Sequence, residues 1–113
     1  MDRKIKKYGK VITAWLFDFV QRRVNTPDAV YELIADDVRH QYQVVRTGWL
    51  EERFYHTIVF HLQIKENGKV WLLVNNTDLL ITDDFIQSGI PKSDIVLGFL
   101  PESVRAYTGY ALA

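Results

Sequence analysis

The chain has 113 residues, 48% of them hydrophobic, and its 14 basic and 14 acidic side chains give a formal net charge of zero. This composition is that of one globular domain, residues 1–113, and a neutral chain offers no global charge to favour nucleic acid. The absence of cysteine excludes disulfides, thiolate metal sites and a cysteine nucleophile, and it suits a reducing cytoplasm.

Residues 2–24 have the periodicity of one amphipathic helix. Apolar side chains recur at spacings of three and four and form one broad stripe, which predicts a helix that packs against a sheet. Phe17 breaks the pattern, because at 100° per residue it lies beside Lys6 and Lys10, away from the stripe. Pro27 cannot continue a helical turn, so the helix ends before it. The stripe consists of Ile5, Tyr8, Val11, Ile12, Trp15, Leu16, Phe19 and Val20.

Four strands are predicted to follow the helix. Residues 29–35 and 41–49 are rich in β-branched and aromatic side chains, which favour strands. Residues 54–75 form a hairpin around the turn Asn67-Gly68. We therefore expect an α+β fold, in which a four-stranded antiparallel meander carries the long N-terminal helix on one face and short helices follow.

The turn predicts which side chains of the hairpin share a face. Asn-Gly between alternating apolar runs favours a two-residue type I′ turn, which pairs Lys65 with Val70 and places Trp71 and Leu73 in the core. The opposite face is then too apolar for full exposure, so we expect a homodimer or higher homo-oligomer to cover it, unless the C-terminal segment folds back over it within one chain. The predicted interaction surface is Phe17, Val59, His61, Val70, Leu72, Val74, Leu79 and Leu80.

The last third of the chain predicts short elements. A helix is expected over residues 78–88, with Thr77 as N-cap and Gly89 just after its end. Residues 94–100 are either extended or a helical turn, and the sequence leaves both open. Pro101 suits the first position of a last short helix that ends near residue 107.

The sequence also argues against export and membrane insertion. The basic N-terminal run lacks the apolar segment that follows it in a signal peptide. No apolar stretch approaches the roughly 18 residues of a membrane span. We therefore expect a cytoplasmic protein that makes no membrane contact.

Histidines and paired acids are the candidates for chemistry. His56 and His61 are five residues apart on one strand, so strict alternation points them to opposite faces unless a bulge intervenes. The adjacent acids Asp36-Asp37 and Asp83-Asp84 splay apart, whereas acid/base catalysis needs facing groups. We therefore predict no catalytic, metal or cofactor site. A small hydrolase or nuclease that uses His56 or His61 is the third hypothesis for function.

Basic residues are concentrated along and just after the first helix. Such a face can bind phosphate groups, so a nucleic-acid-binding accessory protein is the second hypothesis, and direct DNA contact stays open. No aromatic platform accompanies the cations, which favours a solvated outer helix face instead. The residues are Lys4, Lys6, Lys7, Lys10, Arg22 and Arg23.

Five motifs occur along the chain: His40-x-Tyr42-Gln43, Thr47-Gly48-Trp49, His56-x4-His61, Gly68-Lys69-Val70-Trp71 and Gly89-Ile90-Pro91-Lys92-x-Asp94-Ile95-Val96-Leu97-Gly98-Phe99-x-Pro101-x2-Val104-Arg105-x-Tyr107-Thr108. Together they resemble the XisI family, the fdxN element excision controlling factors found chiefly in cyanobacteria. The chain departs from the family pattern at Asn75-Asn76-Thr77-Asp78, where members often have Asp-Gly-Thr-Glu, and at Leu100-Pro101-Glu102, where they often have His-Pro-Pro.

The resemblance implies a function that the residues alone do not indicate. It implies a role in controlling the site-specific excision of a DNA element during heterocyst development. It also implies a protein partner, XisH, which has nuclease-like character and is commonly encoded beside XisI, while the recombinase is a separate protein. The first hypothesis is therefore a non-enzymatic accessory protein that acts through an XisH-like partner.

Overall fold

A long helix lies across one face of a sheet and carries the core. The computed structural model describes residues 2–113, and its helix α1 spans Asp2–Gln21. The predicted apolar stripe is confirmed, because Tyr8, Ile12, Leu16 and Phe19 are all buried against the sheet. The helix ends three residues before the predicted position, where the amide of Arg23 donates to the carbonyl of Val20.

The sheet has five strands in the order β1-β2-β3-β4-β5. The first four form the predicted antiparallel meander, and β5 pairs in parallel with β4. The α+β class is therefore correct, but the four-stranded antiparallel sheet was incomplete. The strands are β1 Val30–Asp36, β2 Gln41–Leu50, β3 Arg53–Ile64, β4 Val70–Asn75 and β5 Ile95–Leu97.

The turn between β3 and β4 is not of type I′. Gly68 has a φ of 82°, but Asn67 does not have the positive φ that a type I′ turn requires. The amide of Gly68 donates to the carbonyl of Lys65 over 2.8 Å, which closes a β-turn followed by a left-handed glycine. Ile64 therefore pairs with Val70, and the predicted pairing of Lys65 with Val70 was wrong by one residue.

This one-residue shift exchanges the two faces near the turn, because side chains alternate along a strand. Val70 and Leu72, predicted for the interaction surface, are buried beneath α1. Trp71 and Leu73, predicted for the core, are half-buried, and Trp71 is paired with Gln63 rather than with a core residue. The hairpin was correctly located, but its face assignment was wrong here.

Two bulges interrupt the regular alternation. Val44 pairs with Phe60 and the next residue, Val45, pairs with Ile58, so Val59 is an extra residue in β3. Val59 and Phe60 are both buried, which removes Val59 from the predicted interaction surface. A second irregularity lies between β3 and β4, at His61 and Leu62. On the side of it away from the turn the predicted register is restored, because His61 pairs with Val74.

Helix α2 spans Ile81–Gln87 and begins later than predicted. Thr77 does not cap it; its hydroxyl instead accepts a hydrogen bond from the amide of Leu79, in the loop before the helix. The end of α2 is as predicted, because Gly89 has a φ of 105° and the amide that follows it donates to the carbonyl of Phe85.

The segment whose structure the sequence left open is a strand. A 3-10 turn at Lys92–Asp94 leads into β5, and the short helix α3, Glu102–Arg105, follows Pro101. Within residues 2–113, no helix is long and apolar enough to cross a membrane.

Asp94 fastens this C-terminal segment to α1. Its carboxylate is buried and accepts a hydrogen bond from the hydroxyl of Tyr8 over 2.5 Å. The same carboxylate forms a salt bridge with the ammonium of Lys4 over 2.9 Å. Nearby, the ammonium of Lys69 donates to the carbonyl of Ala113 over 2.6 Å. The N-terminal helix and the C-terminal residues therefore meet beside the turn that joins β3 and β4.

Candidate interaction surfaces

The bulge at Val59 brings His56 and His61 to the same face of the sheet, the face opposite α1. His61 pairs with Gln43 and His56 pairs with Thr47, and these two β2 residues share a face because they are four positions apart. The expectation of opposite faces was wrong, because one extra residue inverts the alternation. Four residues of strand place the two histidines about 13 Å apart, so they do not converge.

Each of these histidines has its own neutral partner. The Nδ1 atom of His56 lies 2.9 Å from the hydroxyl of Thr47. The Nε2 atom of His61 lies 2.9 Å from the Oε1 atom of Gln41, to which it donates, and burial lowers the pKa of His61, which favours the neutral ring. Among residues 2–113, no three histidine or carboxylate side chains are grouped to hold a metal ion.

The predicted interaction surface is divided in the structure. Phe17, Leu79 and Leu80 are exposed, but Phe17 is on α1, whereas His61 and Val74 pair across the opposite face of the sheet and are half-buried. With Val59, Val70 and Leu72 in the core, the eight residues do not form one patch. Only the predicted residues at the end of β4 and in the loop after it still lie together. This loop is held to the strand by a hydrogen bond from the side-chain amide of Asn75 to the carbonyl of Leu79.

An exposed apolar group that sequence reasoning missed lies at the other end of the sheet. Strands β2 and β3 continue past their neighbours, because β1 pairs only as far as Thr47 and β4 only as far as Phe60. We call residues 48–55 the hairpin arm. The rings of Trp49 and Phe54 lie 5.0 Å apart on it, and together with Leu50 they are more than half exposed. Apolar side chains on both sides of a two-residue acidic turn were the signal in the sequence.

The predicted basic patch is only partly available. Lys4 is paired with Asp94, Arg22 with Asp18 over 2.9 Å, and the guanidinium of Arg23 lies over the ring of Phe19 at 4.2 Å. Arg22 and Arg23 are exposed but engaged in these contacts, whereas Lys6, Lys7 and Lys10 are exposed and form no salt bridge among residues 2–113. Arg22 is about 18 Å farther along the helix direction than Lys10, so the six cations do not make one surface.

A groove runs between α1 and the turn that joins β1 to β2. Its cavity has a volume of about 670 Å³. We call it the α1 groove, and a second, smaller cavity continues it past His40 towards Lys65. The residues that line the α1 groove are Ile5, Lys6, Gly9, Lys10, Thr13, Ala14, Phe17, Asp37, His40 and Tyr42.

The wall of the α1 groove is built by a buried tyrosine. The hydroxyl of Tyr42 donates to Asp37 over 2.8 Å. Burial, followed by the carboxylate of Asp37, raises the pKa of Tyr42, so this hydroxyl stays protonated. A Cβ at Gly9 would lie 2.8 Å from the tyrosine oxygen. A glycine inside α1, normally unfavourable in a helix, is therefore required by the close approach of Tyr42.

Comparisons with known proteins point to one family. The family model described as XisI protein matches residues 1–112. A solved XisI-like protein from Anabaena variabilis is 33% identical, with a TM-score of 0.90 over 96% of this chain and 99% of that chain. The fdxN element excision controlling factor XisI from the same organism is 32% identical, with a TM-score of 0.85 over 97% of this chain and 99% of that chain. A search among curated proteins found no match.

Proposed function

Since the chain belongs to the XisI family, we propose that it is a non-enzymatic accessory protein that acts through a protein partner in the control of site-specific DNA excision. The observation that carries the proposal is the likeness, along nearly the whole of both chains, to a protein named as the fdxN element excision controlling factor XisI. His56 and His61 lie about 13 Å apart and each pairs with a neutral side chain, which supports a role without chemistry of its own.

The partner that we propose is an XisH-like protein, and the hairpin arm is the surface that suits it. Trp49 and Phe54 project from a two-stranded ribbon with no neighbouring strand on either side. Large aromatic side chains of this kind contribute most of the binding energy at protein interfaces. Their exposure has no role in the folding of this chain, since neither ring belongs to the core cluster.

Co-purification of the full chain with an XisH-like protein encoded beside it tests this proposal. We expect a stable complex, which the double variant Trp49→Ala/Phe54→Ala weakens by at least about tenfold. Tyr107→Ala is the matched control, because Tyr107 is a 90% exposed aromatic residue at the other end of the chain. Failure of the wild-type proteins to associate at micromolar concentrations would contradict the proposal.

A direct nucleic-acid contact is the second candidate function, and the exposed Lys6, Lys7 and Lys10 are the observation that favours it. A titration with duplex DNA at several salt concentrations tests it, because each lysine–phosphate contact adds about 0.9 to the slope of log K against log salt. Simultaneous replacement of the three lysines by glutamine would abolish a slope that arises from this face. A slope of zero in the wild-type protein would exclude the contact.

A further inference from the structure

The apolar end of the α1 groove contains an aromatic ring that folding does not use. Phe17 is 55% exposed, lies outside the core cluster and departs from the apolar stripe of α1. It lines the cavity together with Ala14. A planar ring of a ligand would bury this exposed face and find an edge-to-face or stacked partner there.

The other end of the groove is cationic. Lys6 and Lys10 are one helical turn apart on α1, and both line the cavity. Neither is part of a salt bridge within residues 2–113. The one carboxylate in the lining, Asp37, is engaged by the hydroxyl of Tyr42. Two cations against one engaged acid make this end of the groove favourable to an anion.

His40 lies where the α1 groove meets the smaller cavity, and its backbone is strained. Its φ is 57°, a conformation that costs a residue with a Cβ about 1–2 kcal/mol. Its side chain lines both the α1 groove and the smaller cavity beyond it. A glycine would hold the same turn without strain, so the imidazole in this place is unexplained by the fold.

The dimensions set the size of the ligand. Phe17 and Lys10 are two helical turns apart, about 10 Å along α1. The cavity volume of about 670 Å³ lies within the range of small-molecule sites. A ring at Phe17 and an acidic group at Lys10 are therefore separated by about the length of a mononucleotide.

We propose that the α1 groove binds a small aromatic anion, a planar ring that carries a phosphate or carboxylate group. The ring packs on Phe17, the anionic group lies between Lys6 and Lys10, and His40 donates to it from the opposite side. This inference goes beyond the accessory role and does not depend on it, because the groove and the hairpin arm share no residue.

Titration of the ¹⁵N-labelled full chain with two probes that share one ring, adenosine 5′-monophosphate and adenosine 5′-carboxylate, tests the proposal and distinguishes the two anionic groups. We expect saturable shifts of the amides of Lys10, Phe17 and His40 with at least one probe. Stronger binding of one probe identifies the phosphate or the carboxylate as the preferred group. Adenosine and inorganic phosphate, each with half of the chemistry, should bind at least about tenfold more weakly than the better probe.

Variants separate the groove from the rest of the surface. Phe17→Ala and Lys10→Gln should each weaken binding of the better probe by about tenfold, whereas the controls Phe54→Ala and Lys7→Gln should change it less than about twofold. His40→Gly should also weaken binding although it relieves backbone strain, so misfolding cannot account for the loss.

Three results would overturn the proposal. The first is the absence of saturable shifts with both probes at several millimolar. The second is equal weakening by the groove variants and their controls. The third is displacement of the better probe by a single-stranded oligonucleotide with a steep salt dependence, which would assign the groove to nucleic acid.

Discussion

Glu51 and His40 both have left-handed backbone conformations, with φ values of 59° and 57°. Glu51 is the first of two residues in the turn at the tip of the hairpin arm, between the paired Leu50 and Arg53. A positive φ at the first position alone is typical of a type II′ turn, which favours glycine there. The glutamate, which has a Cβ, is therefore under strain at this position.

We predict that Glu51→Gly stabilises the protein by about 0.5–1 kcal/mol, because relief of the left-handed strain exceeds the added entropy of the unfolded chain. Urea unfolding would show a higher midpoint. Glu52→Gly is the matched control, since Glu52 has no positive φ, and it should lower the midpoint instead. Two shifts of the same sign would contradict the turn geometry.

The turn between β3 and β4 provides a second test at this scale. Gly68→Val should cost about 1–3 kcal/mol, because a β-branched residue is forced to a φ of 82°. Asn67→Val should cost much less, since only the glycine has a positive φ, whereas a type I′ turn would penalise both substitutions alike. Thermal unfolding of the two variants distinguishes the turns.

At the scale of the elements, amphipathic periodicity was sufficient for α1 and for the position of every strand of the meander. The register was not predictable, because the choice between a type I′ turn and a turn with a left-handed Gly68 depends on backbone energies of about 1 kcal/mol. The bulge at Val59 lies in the continuous apolar run 58–60, where the pattern does not show which residue is extra. The faces of His56 and His61 could therefore not be assigned from the sequence. Strand β5 has three residues, too few for a periodicity to be recognised.

The fastening of β5 to α1 through Asp94 predicts sensitivity to acid. Burial opposes ionisation of this carboxyl, but hydrogen bonds from Tyr8 and Lys4 outweigh burial and hold its pKa below the ordinary value. A depressed pKa means that the contribution to stability is complete above the pKa of the unfolded chain, about 4. That contribution is lost as the pH falls through the lower folded value.

We therefore expect the melting temperature of the wild-type protein to fall below about pH 4. Asp94→Asn should lower it at pH 7 and make its dependence on pH between 7 and 3 shallower. Tyr8→Phe, which removes one donor, should move the acid transition to higher pH. Identical pH profiles for the three proteins would show that Asp94 does not fasten these elements.

At the scale of the whole molecule, the homodimer stays a prediction, now on a smaller patch at the end of β4. Leu80 is 71% exposed beside Leu79 and the half-buried Val74. We expect light scattering at tens of micromolar to give twice the monomer mass, and Leu80→Glu to halve it. Val24→Glu is the control, because Val24 is 84% exposed and distant in sequence. A monomeric wild-type protein would contradict the prediction.

The start of α1 and residue 113 lie beside one turn, which makes the order of the elements nearly circular. Lys4 packs against Gly68, and Ala113 accepts a hydrogen bond from Lys69, the next residue. A linker of a few residues could join residue 113 to the start of α1. A new break between Glu51 and Glu52 would then cut only the turn of the hairpin arm, and every helix and strand would stay whole. Such a permuted chain should fold with the same sheet, beginning at β3 and ending at β2.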